Sequence, residues 1–235
     1  MNNIALIFAG GTGQRMNVKT GLPKQFLKIN GIPIIIRTIE LFAKHSMIDG
    51  VIIVCIHEYI DKLKDMISEY KLNNKIISIV VGADSAFNSI RNGLNYIYKN
   101  CDIDSVVLIH DGVRPLITPD EIKENIKCVY NNGNAITVSN AIESVMYEYK
   151  MLNRDKCLIA KAPQSFYFKE IYNLHQLASK DSLEFIDSAS LASYYDYKLY
   201  FTTCSNLNIK ITTPIDFYLA ETIIKARETE NIFGL

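Results

Sequence analysis

No charge of either sign prevails in this 235-residue sequence, in which Lys plus Arg and Asp plus Glu each total 25. No global field draws the chain to nucleic acid or to an anionic membrane, so any bound anion must be met by a local cluster of cations. Also lacking is an apolar run of the ~18 residues that a membrane-spanning helix needs. The N-terminal MNNIALIFAGG has no basic region and no cleavage site, and is expected to be a buried first strand, not an export signal. The five cysteines (Cys55, Cys101, Cys128, Cys157 and Cys204) are odd in number, widely scattered and without CxxC or Cys/His spacing, which excludes a patterned zinc site. Reduced cysteines without an export signal point to the cytoplasm. Low-complexity runs and long Pro, Gly or Ser linkers are missing, so residues 1–235 are expected to form a single domain.

What the sequence does contain is alternation. Short apolar runs at Ile4–Ala9, Val51–Ile56, Lys75–Val81 and Ser105–Ile109 are separated by amphipathic stretches near 33–45, 59–70 and 85–98. A further helix over 119–131 and a strand over 135–139 follow. Such βαβα repetition predicts an α/β fold with a mostly parallel sheet and helices on both faces. Ligands in such sheets lie beyond the carboxyl ends of strands. The segments starting at Gly10, Gly82 and His110 are therefore expected to converge on one cleft. Residues 141–160 are polar and aromatic and break the alternation; they suit a β-hairpin arm reaching a second subunit. Helices near 169–179 and 188–195, a strand at 198–202 and a final helix from Pro214 complete the reading.

Three segments carry chemistry. In Ala9-Gly10-Gly11-Thr12-Gly13-Gln14-Arg15-Met16, three glycines after a strand let backbone N–H groups approach an anion without Cβ atoms in the way. An ordinary turn would look similar. No Gly-Lys-Ser/Thr closes the segment, so it is not a Walker A loop. The polar stretch that follows, ending at Pro23, suits no dinucleotide-binding helix, which argues against a nicotinamide-dependent oxidoreductase. In Leu22-Pro23-Lys24-Gln25-Phe26, Lys24 stands across a polar loop from Arg15. Two cations so placed could stabilise charge growing on a phosphoryl centre, although each could also be a solvated surface residue. In His110-Asp111-Gly112-Val113-Arg114-Pro115, a carboxylate at a strand end can hold Mg²⁺ or a ligand hydroxyl, with Arg114 to orient it or take a phosphate; the alternative is a pair that caps a turn.

Together AGGTGQRM, PKQFL and HDGVRP resemble the ribitol-5-phosphate and methylerythritol-phosphate cytidylyltransferases. The likeness continues through SIRNGL, RDKCLIAKAPQ and NIKITTPIDF, in order along nearly the whole chain. The resemblance implies a Rossmann-like three-layer nucleotidyltransferase fold in which the acceptor's phosphate attacks the α-phosphorus of CTP and releases pyrophosphate. It implies that Arg15 and Lys24 are catalytic cations. Phe8, Ala9, Gly10, Gly11, Thr12 and Gly13 are expected at the nucleotide, as are Gly82, Ala83 and Ser89. Asp111, Arg114, Arg154 and Lys210 are expected at the acceptor, with Asp111 also near Mg²⁺. Because the 141–160 arm has little core of its own to join, a homodimer is expected; were Arg154 to act across its interface, the active site would be shared.

Three positions depart from the family pattern: Ala86 stands where an arginine is common, Ala162 where Thr-Pro-Gln is usual, and Ile186 where methylerythritol-phosphate enzymes carry a threonine. The lost hydroxyls lie on the acceptor side. With the double glycine of AGG and the Gly-Val of HDGVRP, they favour a ribitol-type alditol phosphate over methylerythritol 4-phosphate. A nucleotide-binding regulator without catalysis is a further alternative. His45, His57 and His175 have no partners at metal spacing and are expected to be surface or half-buried imidazoles. The 14 tyrosines are not interleaved with basic residues, which argues against a nucleic-acid surface.

Overall fold

The computed structural model describes residues 2–11, 16 and 21–233. Its first strand, β1 (Asn3–Ala9), is almost wholly buried, as a run with no polar alternation requires when helices cover both faces. A small antiparallel pair, β2 (Lys28–Ile29) and β3 (Ile32–Pro33), leads into α1 (Ile34–Ala43). Then come β4 (Gly50–Cys55), α2 (Ile60–Glu69), β5 (Ile76–Val81), α3 (Ala86–Asn100) and β6 (Val106–Asp111). After α4 (Pro119–Asn132) and β7 (Asn134–Asn140), a two-stranded hairpin is formed by β8 (Met146–Tyr147) and β9 (Lys150–Met151). The chain ends with β10 (Leu158–Tyr167), α5 (Phe168–Lys180), α6 (Ser188–Tyr194), β11 (Phe201–Thr203) and α7 (Pro214–Phe233).

Seven strands form one sheet in the order β11-β7-β10-β6-β1-β4-β5. Only β10 runs against its neighbours, β6 and β7; the other pairings are parallel. Period-two alternation along β1 assigns each residue to a layer. Ala5, Ile7 and Ala9 pack with α1, α2 and α4, while Ile4 and Leu6 pack with α3, α5 and α6. The result is the expected three-layer α/β arrangement.

Two expectations need correction. The arm does not extend through residue 160, because Leu158, Ile159 and Ala160 already pair with Asn140, Ser139 and Val138 in the main sheet. The strand they begin was not foreseen at all. Pro163 lies inside it, and proline cannot donate to a central ladder. The structure reconciles the two by a register shift between Ala160 and Gln164, which leaves Pro163 in a bulge. His175 is likewise not a surface residue. It is 1% exposed and stacks on Phe87 with ring centroids 4.4 Å apart.

Candidate active site

The segments after β1, β5 and β6 do converge. The amide of Gly112 donates to the Phe8 carbonyl at 2.9 Å, and that of Gly82 to the Cys55 carbonyl at 2.7 Å. Gly10 and Gly82 then come so close that a Cβ on Gly10 would stand 2.7 Å from Ser89 Oγ and 3.6 Å from Gly82 Cα. Close approach, not a left-handed backbone, is what makes glycine fit at Gly10 and Gly82. Ser89 is buried at the start of α3. Its hydroxyl accepts from the Ala83 amide at 2.9 Å and donates to the Ala83 carbonyl at 3.3 Å, which fixes the Gly82–Ala83 turn.

The cleft beyond these strand ends has a volume of about 410 Å³, within the ~300–1,000 Å³ range of small-molecule sites. One wall comes from the Phe8–Gly11 segment, another from Ala83–Ala86 with Ser89, and the floor from Asp111 and Val113. Lys24, Gln25 and Lys210 close the third side. Gln25, which lies in the PKQFL segment but to which the sequence alone assigns no role, is 1% exposed and donates to the carbonyls of Ala9 (2.8 Å) and Gly11 (3.1 Å). It pins the glycine turn from below, a side-chain-to-backbone bond that leaves no periodic trace.

Lys24 and Lys210 are brought together by one strap of chain. Lys24 Nζ donates to the Ile211 carbonyl at 2.8 Å, and the Ile211 amide donates to the Val113 carbonyl at 3.0 Å. Arg114 donates to the Asn208 carbonyl at 3.0 Å, and Asp216 caps the amides of Thr212 and Thr213 at 2.9 and 2.7 Å. So the NIKITT segment lies bound across the HDGVRP turn, and the helix it leads into, α7, anchors it from behind.

At the centre is Asp111, 5% exposed at the end of β6. Arg114 Nε meets its Oδ2 at 2.8 Å and Lys210 Nζ its Oδ1 at 2.5 Å. Burial alone would raise this carboxyl; Lys210 and Arg114 outweigh it and hold the group down to about 2. Asp111 therefore stays charged and acts as the organiser of two cations. Beneath it His110 is fully buried, held neutral with its pKa lowered to about 4 chiefly by desolvation, and its Nε2 lies 3.1 Å from the Arg114 carbonyl. His110 supports the turn and does not face the cleft.

A second, smaller cavity of about 150 Å³ opens beside the first, sharing Phe8, Ala86, Asp111 and Lys210 with it. Its far wall is β10 and the start of α6, including Lys161, Ala162, Gln164, Ile186 and Asp187. All three positions that departed from the family pattern, Ala86, Ala162 and Ile186, line this one cavity.

Of the residues expected at the site, Phe8, Ala9, Gly10, Gly11, Lys24, Ala83, Ser89, Asp111 and Lys210 line the main cleft; Gly82 backs Gly10, and Arg114 lines the smaller cavity. Thr12, Gly13 and Arg15 lie outside the described residues. Arg154 is not brought to either cavity. It sits exposed after the hairpin, donating to the Ile142 carbonyl at 3.2 Å. Among the described residues no cluster of three His, Cys, Asp or Glu side chains could hold a metal unaided.

Comparison with known proteins identifies the family. The family model described as IspD, 2-C-methyl-D-erythritol 4-phosphate cytidylyltransferase, matches residues 3–226. A ribitol-5-phosphate cytidylyltransferase from Streptococcus agalactiae serotype III (strain NEM316) is 41% identical over 240 residues, covering 99% of this chain and 100% of the relative. A 2-C-methyl-D-erythritol 4-phosphate cytidylyltransferase from Clostridium botulinum (strain Langeland / NCTC 10281 / Type F) is 34% identical, covering 95% and 97%. Among solved structures, 4-diphosphocytidyl-2C-methyl-D-erythritol synthase from Anaerococcus prevotii DSM 20548 superposes with a TM-score of 0.82 at 26% identity, covering 95% of this chain and 96% of the other. A glycine turn meeting two lysines over a buried, doubly paired aspartate is thus found in a chain that belongs to the IspD family of cytidylyltransferases, nucleotidyltransferases that use CTP.

Proposed function

We propose that this enzyme transfers CMP from CTP to an alditol phosphate, foremost D-ribitol 5-phosphate, giving CDP-ribitol and pyrophosphate. The observation that carries the choice of acceptor is the small cavity beside Asp111, whose wall has lost the hydroxyl at Ala162 and gained the apolar Ile186. The greater identity to relatives named for ribitol 5-phosphate than to those named for methylerythritol 4-phosphate supports the same reading.

In the reaction, CTP lies in the larger cleft with its phosphates against the Gly10–Gly11 backbone. A phosphate oxygen of the acceptor forms a bond to the α-phosphorus while the bond to the bridging oxygen of pyrophosphate breaks. Charge accumulates on the α-phosphoryl oxygens and on the leaving group, and Lys24 with Arg15 offsets it. Lys210, held by Asp111, receives the acceptor phosphate, which carries roughly −1.5 to −2 near neutral pH. No covalent nucleophile is required, since the attacking oxygen is already anionic and positioning suffices. The thiol nearest the turn, Cys55, is fully buried, with burial pushing its pKa up to about 11, so it is no candidate. For Mg²⁺, Asp111 retains lone pairs beyond those taken by Arg114 and Lys210, and Mg²⁺ is commonly held by one or two carboxylates plus substrate phosphates. When bound it neutralises phosphate charge. Free cysteines and a nucleotide substrate suit a cytoplasmic enzyme, supplying activated alditol for a wall or capsule polymer.

The test is direct. Purified protein with CTP, Mg²⁺ and D-ribitol 5-phosphate should release pyrophosphate, and far faster than with methylerythritol 4-phosphate. The reverse preference moves the enzyme to the alternative acceptor, and CTP binding without turnover on either makes it a silent regulator. Lys24→Ala should reduce kcat by roughly 10²–10³-fold while changing CTP affinity much less; a loss confined to affinity would overturn the role given to Lys24.

A further inference from the structure

Resting on the cytidylyltransferase reading, we infer that Lys161 determines acceptor specificity by donating a hydrogen bond to the polyol chain of the acceptor. Lys161 lies within the RDKCLIAKAPQ segment, where the sequence alone assigns it no role; it stands in the bulged part of β10, on the wall of the smaller cavity that Lys210 and Asp111 also line.

The cavity is donor-rich. An ammonium has three N–H groups. Two of those on Lys161 point to main-chain carbonyls, Asn206 O at 3.0 Å and Ser205 O at 3.5 Å, and no carboxylate pairs with it among the described residues. The third N–H is left for whatever enters. The acceptors that share this wall with Lys161 each already receive a bond: Asp187 Oδ2 from Gln164 at 3.0 Å, Asp187 Oδ1 from the Ser190 amide at 2.8 Å, and Gln164 Oε1 from the Ala189 amide at 2.8 Å. A ligand that offers lone pairs meets this open donor at Lys161, and the hydroxyls along an alditol chain offer them.

Size and connection decide which part of the acceptor arrives. At about 150 Å³ the cavity is half the lower end of the ~300–1,000 Å³ usual for drug-sized ligands, so it takes a short chain and not a nucleoside. Lys210 and Asp111 stand at its junction with the CTP cleft, so a phosphate held there for attack directs the rest of its molecule inward, past Arg114, to Lys161. The side chain is half-buried, so its bond to a hydroxyl forms in a site of restricted water, where a charged donor counts for more than at the surface.

Lys161→Met, which keeps the stem and removes the donor, tests this in the full-length enzyme with CTP and D-ribitol 5-phosphate. The kcat/KM for ribitol 5-phosphate should fall roughly 10- to 100-fold, with kcat/KM for CTP at saturating acceptor within about twofold, and Lys161→Arg should recover most of the loss. An unchanged acceptor kcat/KM overturns the inference. So does an equal loss for CTP, or a failure of arginine to rescue, since either shows that Lys161 only braces the 204–208 loop. If the unsubstituted enzyme releases no pyrophosphate from CTP with any alditol phosphate, the parent reading fails, and that outcome is told apart because it appears before any substitution is made.

Discussion

At the scale of single residues, the site is a set of groups whose freedom has been removed. Ser89 shows how. Its hydroxyl is both acceptor and donor for Ala83, so Ser89→Ala leaves a partly buried amide without its partner, a cost of ~1–3 kcal/mol. Ala83 lines the main cleft, so calorimetric titration with CTP should show affinity reduced about tenfold or more, together with a Tm lowered by several degrees. His175 gives a second prediction. Desolvation lowers its pKa from 6.5 to about 3, and neither ring nitrogen has a hydrogen-bond partner. The unfolded chain therefore binds a proton near pH 6.5 that the folded chain refuses until about pH 3, and stability falls as the solution is acidified through that window. The slope approaches ~1.4 kcal/mol per pH unit for this one group. His175→Phe preserves the stacking on Phe87, so urea midpoints measured from pH 6 to 4 should decline less steeply than in the parent; equal slopes would remove His175 from the account. Several site residues were legible because they stand in glycine-rich or charged motifs at strand ends. Gln25 and Lys161 stand inside PKQFL and RDKCLIAKAPQ, but no role could be read for either, because each bonds to main-chain carbonyls of other segments.

At the scale of elements, the parallel half of the sheet could be foreseen from its apolar runs, since a strand covered on both faces has no polar residues to hide. The antiparallel β10 could not. It mixes Lys161, Pro163 and Gln164 with apolar residues, and these are the side chains that face the small cavity or interrupt the ladder. Function and strand propensity conflict at this stretch, and function prevails. Helix ends were easier. Thr118 and Glu121 form a reciprocal capping box at the start of α4, with Pro119 at its first position. Thr118→Ala should cost ~1 kcal/mol and lower Tm by about 2–4 °C in a calorimetric scan. The kinetic constants should stay as they are, because α4 lines neither cavity.

At the scale of the whole molecule, the chain is electrically neutral overall, yet it gathers Lys24, Arg114, Lys161 and Lys210 around two adjoining cavities whose carboxylates are mostly committed to cations or caps. The arm stands apart from this. Tyr149 is 98% exposed, and Met146, Tyr147 and Met151 each at least 60%, so the hairpin carries apolar surface that its own core does not cover. We expect a second copy to cover it and Arg154 to serve the neighbouring site. Sedimentation velocity should give twice the mass of one chain, and replacing Tyr147 and Met151 by Asp should yield monomers of much reduced activity. Fully active monomers would contradict both parts.

The bulge in β10 has a consequence for how such an enzyme can diversify. Four positions pass from Ala160 to Gln164 while the partner strand advances only from Val138 to Ile136. Slack of this kind works as an expansion joint. Upstream insertions or deletions can be absorbed before they reach Gln164, whose register against Ile109 sets the inner wall. The exposed hairpin is thus free to be recut for new neighbours while the small cavity proposed to take the acceptor keeps its shape.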